Sequence, residues 1–278
     1  MRWLPAVEKL RTERRAGVLV TLMSVRGHAP REAGSKMVVA ADATWDSIGG
    51  GNVEATAIER ARELLASGAT EPATFTIDLS DKAPGEHGVQ CCGGEVTVLL
   101  EPLGVRPAAA IFGVGHVGLE LARILARHDL DLHLVDSRPG QLTDDVLAPL
   151  ADADARVHVH HEAVLPELVL AELPAGTHVL VMTHDHAEDL ALLDAALRAP
   201  HLGPIGLIGS SAKWARFRST LLHDGHDAEA VDRIVTPIGL PSLTGKEPAT
   251  IAVSVAAALL RSFADEDATV SPRLGADT

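Results

Sequence analysis

Tyrosine is absent from the 278 residues, and phenylalanine, tryptophan and tyrosine together make up only 3% of them. Single-stranded nucleic acids bind on aromatic stacking platforms, which a chain this poor in rings does not offer. Positive charge is also scarce: 24 Lys and Arg against 38 Asp and Glu leave a net charge of -14. Such a chain repels a polyphosphate backbone, so no nucleic-acid partner is expected. Cysteine is confined to Cys91 and Cys92, side by side. Neighbouring cysteines cannot staple distant parts of a fold, which points to a reducing, cytoplasmic setting. No run is read as the ~18 apolar residues of a membrane helix. The opening MRWLPAVEKLRTERRAG is amphipathic and lacks the apolar core and cleavage site of a leader. A soluble protein with no membrane partner is expected.

What is present is an ordinary globular composition, 46% hydrophobic and 22% charged, long enough for two domains. The first part reads as a helix, then the strands GVLVTLMSV and MVVAAD, a helix from about Val53 to Ala66, and the strands TFTIDL and EVTVLLEPL. Its order is not a regular alternation, which makes it an α+β domain over residues 1–104. At Gly104-Val105-Arg106-Pro107 the rhythm changes. From Ala108 apolar strands alternate with helices: AAIFGV, DLHLVD, ARVHVH, THVLVMT and GPIGLIG, with IVTPIGL and a final helix closing the series. That rhythm predicts a doubly wound, Rossmann-like parallel sheet over 107–264, giving an α/β protein with a flexible tail over 265–278.

Five places invite chemistry. Gly113, Gly115 and Gly118 form a G-x-G-x-x-G between a strand and a helix, and Asp136 ends the next strand roughly 20 residues on. That pattern suits a dinucleotide or another phosphate; the plain alternative is a turn kept for packing. Gly49, Gly50 and Gly51 precede a helix, where bare N–H groups either meet an anion or only make a tight turn. Ser210, at a second glycine turn, caps a helix whose Lys213 and Arg216 share a face and suggest an anion pocket; a capped, solvated helix is the rival. His184, Asp185, His186 and Glu188 read as a capping box with some ligand contact more readily than as a metal site. His158 and His160 alternate onto one strand face as structural residues. Finally, Gln90-Cys91-Cys92-Gly93-Gly94 is a turn whose thiolate would be the softest donor in the chain, suited to a soft metal.

Taken in order, these segments resemble the XdhC/CoxI family of accessory proteins of molybdenum hydroxylases. The resemblance runs from about Thr21 to Leu260 through SVRGHAPREAGSKMVV, SIGGGNVE, CCGGEVTVLLEP, IFGVGHVGLELARIL, VDSRP, THDHAEDLALL, GLIGSSAKWARFR and PIGLPSLTGKEPATIAVSV. It implies a chaperone more than a catalyst: a protein that binds the molybdenum cofactor (molybdopterin), presents it for sulfuration and delivers it to an apo molybdenum hydroxylase such as xanthine dehydrogenase. The same resemblance implies a cysteine desulfurase-type sulfur donor as second partner, and a homodimer. It carries Cys92 over as the thiol of the Cys-Gly-Gly segment and as the expected contact to the metal, with Gly93 beside it; Cys91 is an extra neighbour. Gly49 to Gly51 and Gly113, Gly115 and Gly118 fall on the two glycine turns. One turn is expected to take the cofactor's phosphate, with Arg31, Lys36, Lys213 and Arg216 nearby and a crevice between the two parts as the pocket. A nicotinamide-dependent oxidoreductase using NAD(P) at GVGHVG is the alternative, and a Rossmann part kept as a docking scaffold is a third.

Overall fold

The computed structural model describes residues 1–79, 94–161 and 165–270. Among the described residues two compact units emerge, one from Met1 to Val105 joined by residues 264–270, the other from Arg106 to Phe263.

In the first unit helix α1 (Trp3–Thr12) leads into strand β1 (Gly17–Arg26). Then come β2 (Lys36–Val39), β3 (Thr44–Asp46), helix α2 (Gly51–Ser67), β4 (Ala73–Asp78) and β5 (Glu95–Leu103). The strands form one antiparallel sheet in the order β3-β2-β1-β5-β4. Alternating side chains supply its two faces. Val18, Val20 and Leu22, with Val96, Val98 and Leu100, pack against the Val53, Ala57 and Ala61 stripe of α2. Leu19 and Val38 point the other way, onto Ala6 and Leu10 of α1. Each fully buried valine or leucine contributes about 1.5–3 kcal/mol, so both helices are held by their apolar stripes.

The register places several loops together. Thr21 pairs with Lys36, Met37 with Asp46, and Glu95 with both Arg26 and Asp78. The carboxyl ends of β1, β3 and β4 and the amino ends of β2 and β5 therefore lie at one end of the sheet. The sequence motifs around residues 27–35 and 47–51 emerge there, as does Gly94.

The second unit runs β6 (Ala108–Phe112), α3 (His116–Leu125), β7 (Asp131–Asp136), α4 (Asp144–Leu147), β8 (Arg156–His161), β9 (His178–Val181), α5 (His186–Leu197), β10 (Ile205–Leu207), α6 (Ser211–His223), α7 (Ala228–Asp232) and α8 (Pro248–Val270). Its five strands are all parallel, in the order β10-β9-β6-β7-β8. Residues of α3 and α8 such as Leu121, Leu125, Val255 and Leu259 cover one face. Leu192 of α5, Phe217 of α6, and Val169 and Leu170 from a short 3-10 turn cover the other. This is the doubly wound α/β sheet that the strand–helix rhythm predicts, beside an N-terminal unit built on an antiparallel sheet. Segment 234–240 adds no strand, only a single bridge from Val235 to Gly206, because Pro237 brings no N–H to a ladder. One expectation is corrected: Pro248–Glu266 of α8 is long and apolar enough, by length and composition, to cross a membrane. Its Ala252, Val255, Ala256 and Leu259 are buried in the core of the second unit.

Candidate functional site

The triple glycine has a backbone reason. Gly49, Gly50 and Gly51 have φ of 124°, 72° and 63°, all in the region that side chains disfavour. One of its N–H groups, that of Gly50, already has an anion. A single oxygen of Glu54, in the first turn of α2, accepts from the N–H of Ile48 at 3.1 Å, the N–H of Gly50 at 3.0 Å and the hydroxyl of Ser47 at 2.5 Å. The N–H of Gly49 donates to Ser47 Oγ. The acceptor at this turn is thus an acid of the protein itself. Gly49 also lies against Pro30 and Arg31, and Gly94 against the backbone of Arg26 and His28. Both therefore touch the segment that leaves β1. Lys36 donates to Thr21 Oγ1 at 2.7 Å, on the sheet rather than in the glycine turn. Cys91, Cys92 and Gly93 lie outside the described residues.

In the second unit the strand order reverses between β6 and β9, and open α/β sheets bind ligands in the crevice beyond the carboxyl ends at that point. The three glycines there have different reasons. A Cβ on Gly113 would fall 2.5 Å from Met182 O, and one on Gly118 would collide with Gly113 O. Packing alone demands both. Gly115 is the exception, because its Cβ would meet nothing closer than Arg138 Nη2 at 3.8 Å.

Asp136 ends β7 as expected, almost fully buried, but its carboxylate is engaged. Arg138 donates to it through Nε at 2.9 Å, Nη2 at 2.8 Å and its backbone N–H at 2.9 Å, while the N–H of Val114 donates at 2.7 Å. Burial works to raise the carboxyl's pKa; the bonds from Arg138 and Val114 outweigh it and hold the group below the usual aspartate range. Next to it, Ser137 donates its hydroxyl to Glu188 Oε2 of α5 at 3.0 Å. Burial first, then the neighbouring charge of Asp136, push Glu188 above its ordinary value against that bond. Since β7 and β9 flank β6, the Ser137–Glu188 bond bridges the end of the central strand.

The start of α5 settles the capping pattern differently from its sequence. Asp185 accepts from the N–H groups of Ala187 and Glu188, at 2.6 and 3.2 Å, and caps the helix. Glu188 does not reach back to the cap; it goes to Ser137. Ser210 caps α6 by accepting from the N–H of Lys213 at 3.3 Å. Lys213 is not open to an anion: its ammonium is bonded to the fully buried Asp189 and to Ile208 O. Asp189 in turn accepts from the N–H and hydroxyl of Thr183. Arg216 reaches His186 Nδ1 at 3.2 Å.

His158 and His160 share a face as expected, stacked beside His133 with ring centroids 4.4 and 5.3 Å away. Among the described residues no group of three or more His, Cys, Asp or Glu is arranged to hold a metal ion. The sequence singles out Asp136 and Lys213, but neither Arg138 nor the Ser137–Glu188 and Asp189–Lys213 pairings. The VDSRP stretch carries the one readable hint, a cation two residues past the acid.

A family model described as the XdhC Rossmann domain matches residues 110–259, and one described as the XdhC and CoxI family matches residues 10–78. The uncharacterized protein YqeB of Escherichia coli (strain K12) is 26% identical over 243 residues, 87% of this chain. The chain spans only 43% of YqeB's length. The molybdenum cofactor insertion chaperone PaoD of the same strain is 28% identical over 300 positions, covering 96% of this chain and 90% of PaoD. A solved structure described as a xanthine dehydrogenase from Bacillus halodurans, 20% identical, covers 100% of this chain and 98% of its own, with a TM-score of 0.46.

Proposed function

The chain belongs to the XdhC and CoxI family, and on that premise we propose that it is a molybdenum cofactor insertion chaperone. The observation that carries the reading is the similarity to PaoD, which runs nearly end to end along both chains. The protein binds the molybdenum cofactor as cargo and shields it. It presents the cargo for sulfuration by a cysteine desulfurase-type donor and hands it to an apo molybdenum hydroxylase of the xanthine dehydrogenase kind. It acts as a cytoplasmic homodimer and leaves the redox chemistry to its client. Cys92 with Gly93 is the proposed contact to the metal end, and the switch-point crevice with Gly115 is the second binding surface.

The chemistry of the crevice speaks against the nicotinamide alternative. In a dinucleotide site the acid at the end of the second strand takes a ribose hydroxyl; here Asp136 holds Arg138 and Val114 instead. The test is reconstitution. Chain loaded with molybdenum cofactor under anaerobic conditions is mixed with an apo hydroxylase, and substrate turnover is followed. Activity that appears only with loaded chain is the expected result. Activity equal to that from free cofactor alone contradicts it.

A further inference from the structure

The second unit carries a cleft at the end of its sheet opposite the crevice. It has a volume of about 580 Å³ and lies between the end of α5, the connection into β10, and α7 with the residues that follow it. That size falls within the range of pockets for small molecules. Ten of its eleven lining residues are Ala, Leu, Ile, Pro or Gly, among them Leu197, Leu202, Ile205 and Ile234. The eleventh is Arg233, so the cleft has one charged side chain and no other polar one.

The backbone around the cleft offers little to a polar ligand. Pro200 and Pro204 have no N–H. The N–H groups of Ala199, Leu202, Gly203, Arg233 and Ile234 donate to the carbonyls of Ala196, Ala199, Thr177, Ala230 and Val231, in that order. A ligand rich in hydrogen-bonding groups would leave them unpaired here, at a cost for each. The walls suit a hydrocarbon body instead.

Arg233 is exposed, and among the described residues no acceptor is bonded to its guanidinium. Its neighbour Asp232 accepts from Arg218 on both oxygens, at 2.6 and 2.8 Å. Asp194 of α5 is bonded to Arg198 and His226. Glu229, one turn back on α7, makes no ion pair with it. The planar fork of an arginine matches the two oxygens of a carboxylate. One guanidinium balances one negative charge, and the chain's net charge of -14 weighs against a second.

We propose that this cleft binds a small apolar monocarboxylate, its hydrocarbon body on the walls of Leu197, Leu202 and Ile205 and its carboxylate on Arg233. Ile205 opens β10, so the site lies at the amino end of the parallel sheet, whereas the crevice lies beyond the carboxyl ends. α5 runs between the two, with His186 at one end and Leu197 at the other. The proposal therefore stands whether or not the crevice takes the cargo.

The test titrates the full chain, by calorimetry, with three probes that share one hydrocarbon chain: octanoate, 1-octanol and octylamine. General attraction to a chain of net charge -14 would favour the amine and disfavour the carboxylate. The cleft reverses that order. Octanoate is expected to bind at one site per chain, about fivefold more tightly than octanol, the upper end for an ion pair in contact with solvent. Arg233→Met keeps an apolar stem without the charge and should bring octanoate down to the level of octanol or below. Ala230→Trp fills the cleft and should abolish octanoate binding. Both variants are first shown to be folded by their melting curves. Tightest binding of the amine, equal binding of the three probes, no binding at all, or an octanoate preference that survives Arg233→Met overturns the proposal. So does unchanged octanoate binding in a folded Ala230→Trp protein, which would place the site elsewhere.

Discussion

Arg138 grips Asp136 with both arms of its guanidinium, 2.9 Å from Nε to one carboxylate oxygen and 2.8 Å from Nη2 to the other. The pair sits where a dinucleotide-binding sheet would offer its acid to a ribose, and it closes that acid to ligands. Arg138→Met is expected to cost about 1–3 kcal/mol at neutral pH, since it leaves a buried carboxylate without its main donor. The folded-state pKa of Asp136 is lowered, so its contribution is present above the ordinary aspartate value and lost as pH falls through the folded value. Urea melts should show wild type and variant far apart at neutral pH and converging in strong acid.

For Glu188 the sign reverses. Its pKa is raised on folding, chiefly by burial, so the ionised form weighs against the folded state and stability falls as pH climbs through the folded value. Glu188→Gln keeps an oxygen for Ser137 and removes the charge. Its melting temperature is expected to equal or exceed that of wild type in mild alkali, with the difference vanishing in acid below the ordinary glutamate value. A variant that melts lower at every pH would mean that the carboxylate supports the fold.

Within GVGHVG the glycines should separate. Gly118→Ala drives a methyl into Gly113 O, and a loss of about 3 kcal/mol is expected. Gly115→Ala has room and should melt like wild type. Any ligand that needs close approach to this backbone is then lost without loss of fold. Calorimetry for stability and dialysis for cargo binding distinguish the two, and a Gly115→Ala protein that binds cargo normally would remove this loop from the site.

The glycine turn before α2 makes a similar prediction about strain. Gly50 has φ 72° and ψ -168°, a conformation almost reserved for glycine, although a Cβ there would meet nothing within 4 Å. Gly50→Ala should therefore cost about 1–3 kcal/mol through the backbone alone. Glu54→Ala removes the acceptor for three donors and should cost a similar amount, measured by chemical denaturation.

The parts of this molecule legible in its sequence are local. Apolar runs of strand length between helical stripes, and glycines between them, specify β6, α3 and β7 within their own segments, and with them the Rossmann-like sheet. The special backbone of Gly49 to Gly51 is equally visible. What fills that turn is not, because an acid in a first turn such as Glu54 reads as ordinary helix-dipole company. The pairings that decide the crevice are distant: Asp189 and Lys213 lie 24 residues apart, and Ser137 and Glu188 51. Only the fold brings such groups together, so Lys213 reads as an anion-binding cation although its ammonium ends on a buried aspartate.

The chaperone reading is tested most directly by anaerobic equilibrium dialysis of the purified chain against molybdenum cofactor, and separately against NADH, with molybdenum counted by elemental analysis. Molybdenum should be retained in stoichiometric amount and NADH left evenly distributed. Retention of NADH with no molybdenum would contradict the reading, and would make the crevice a dinucleotide site after all.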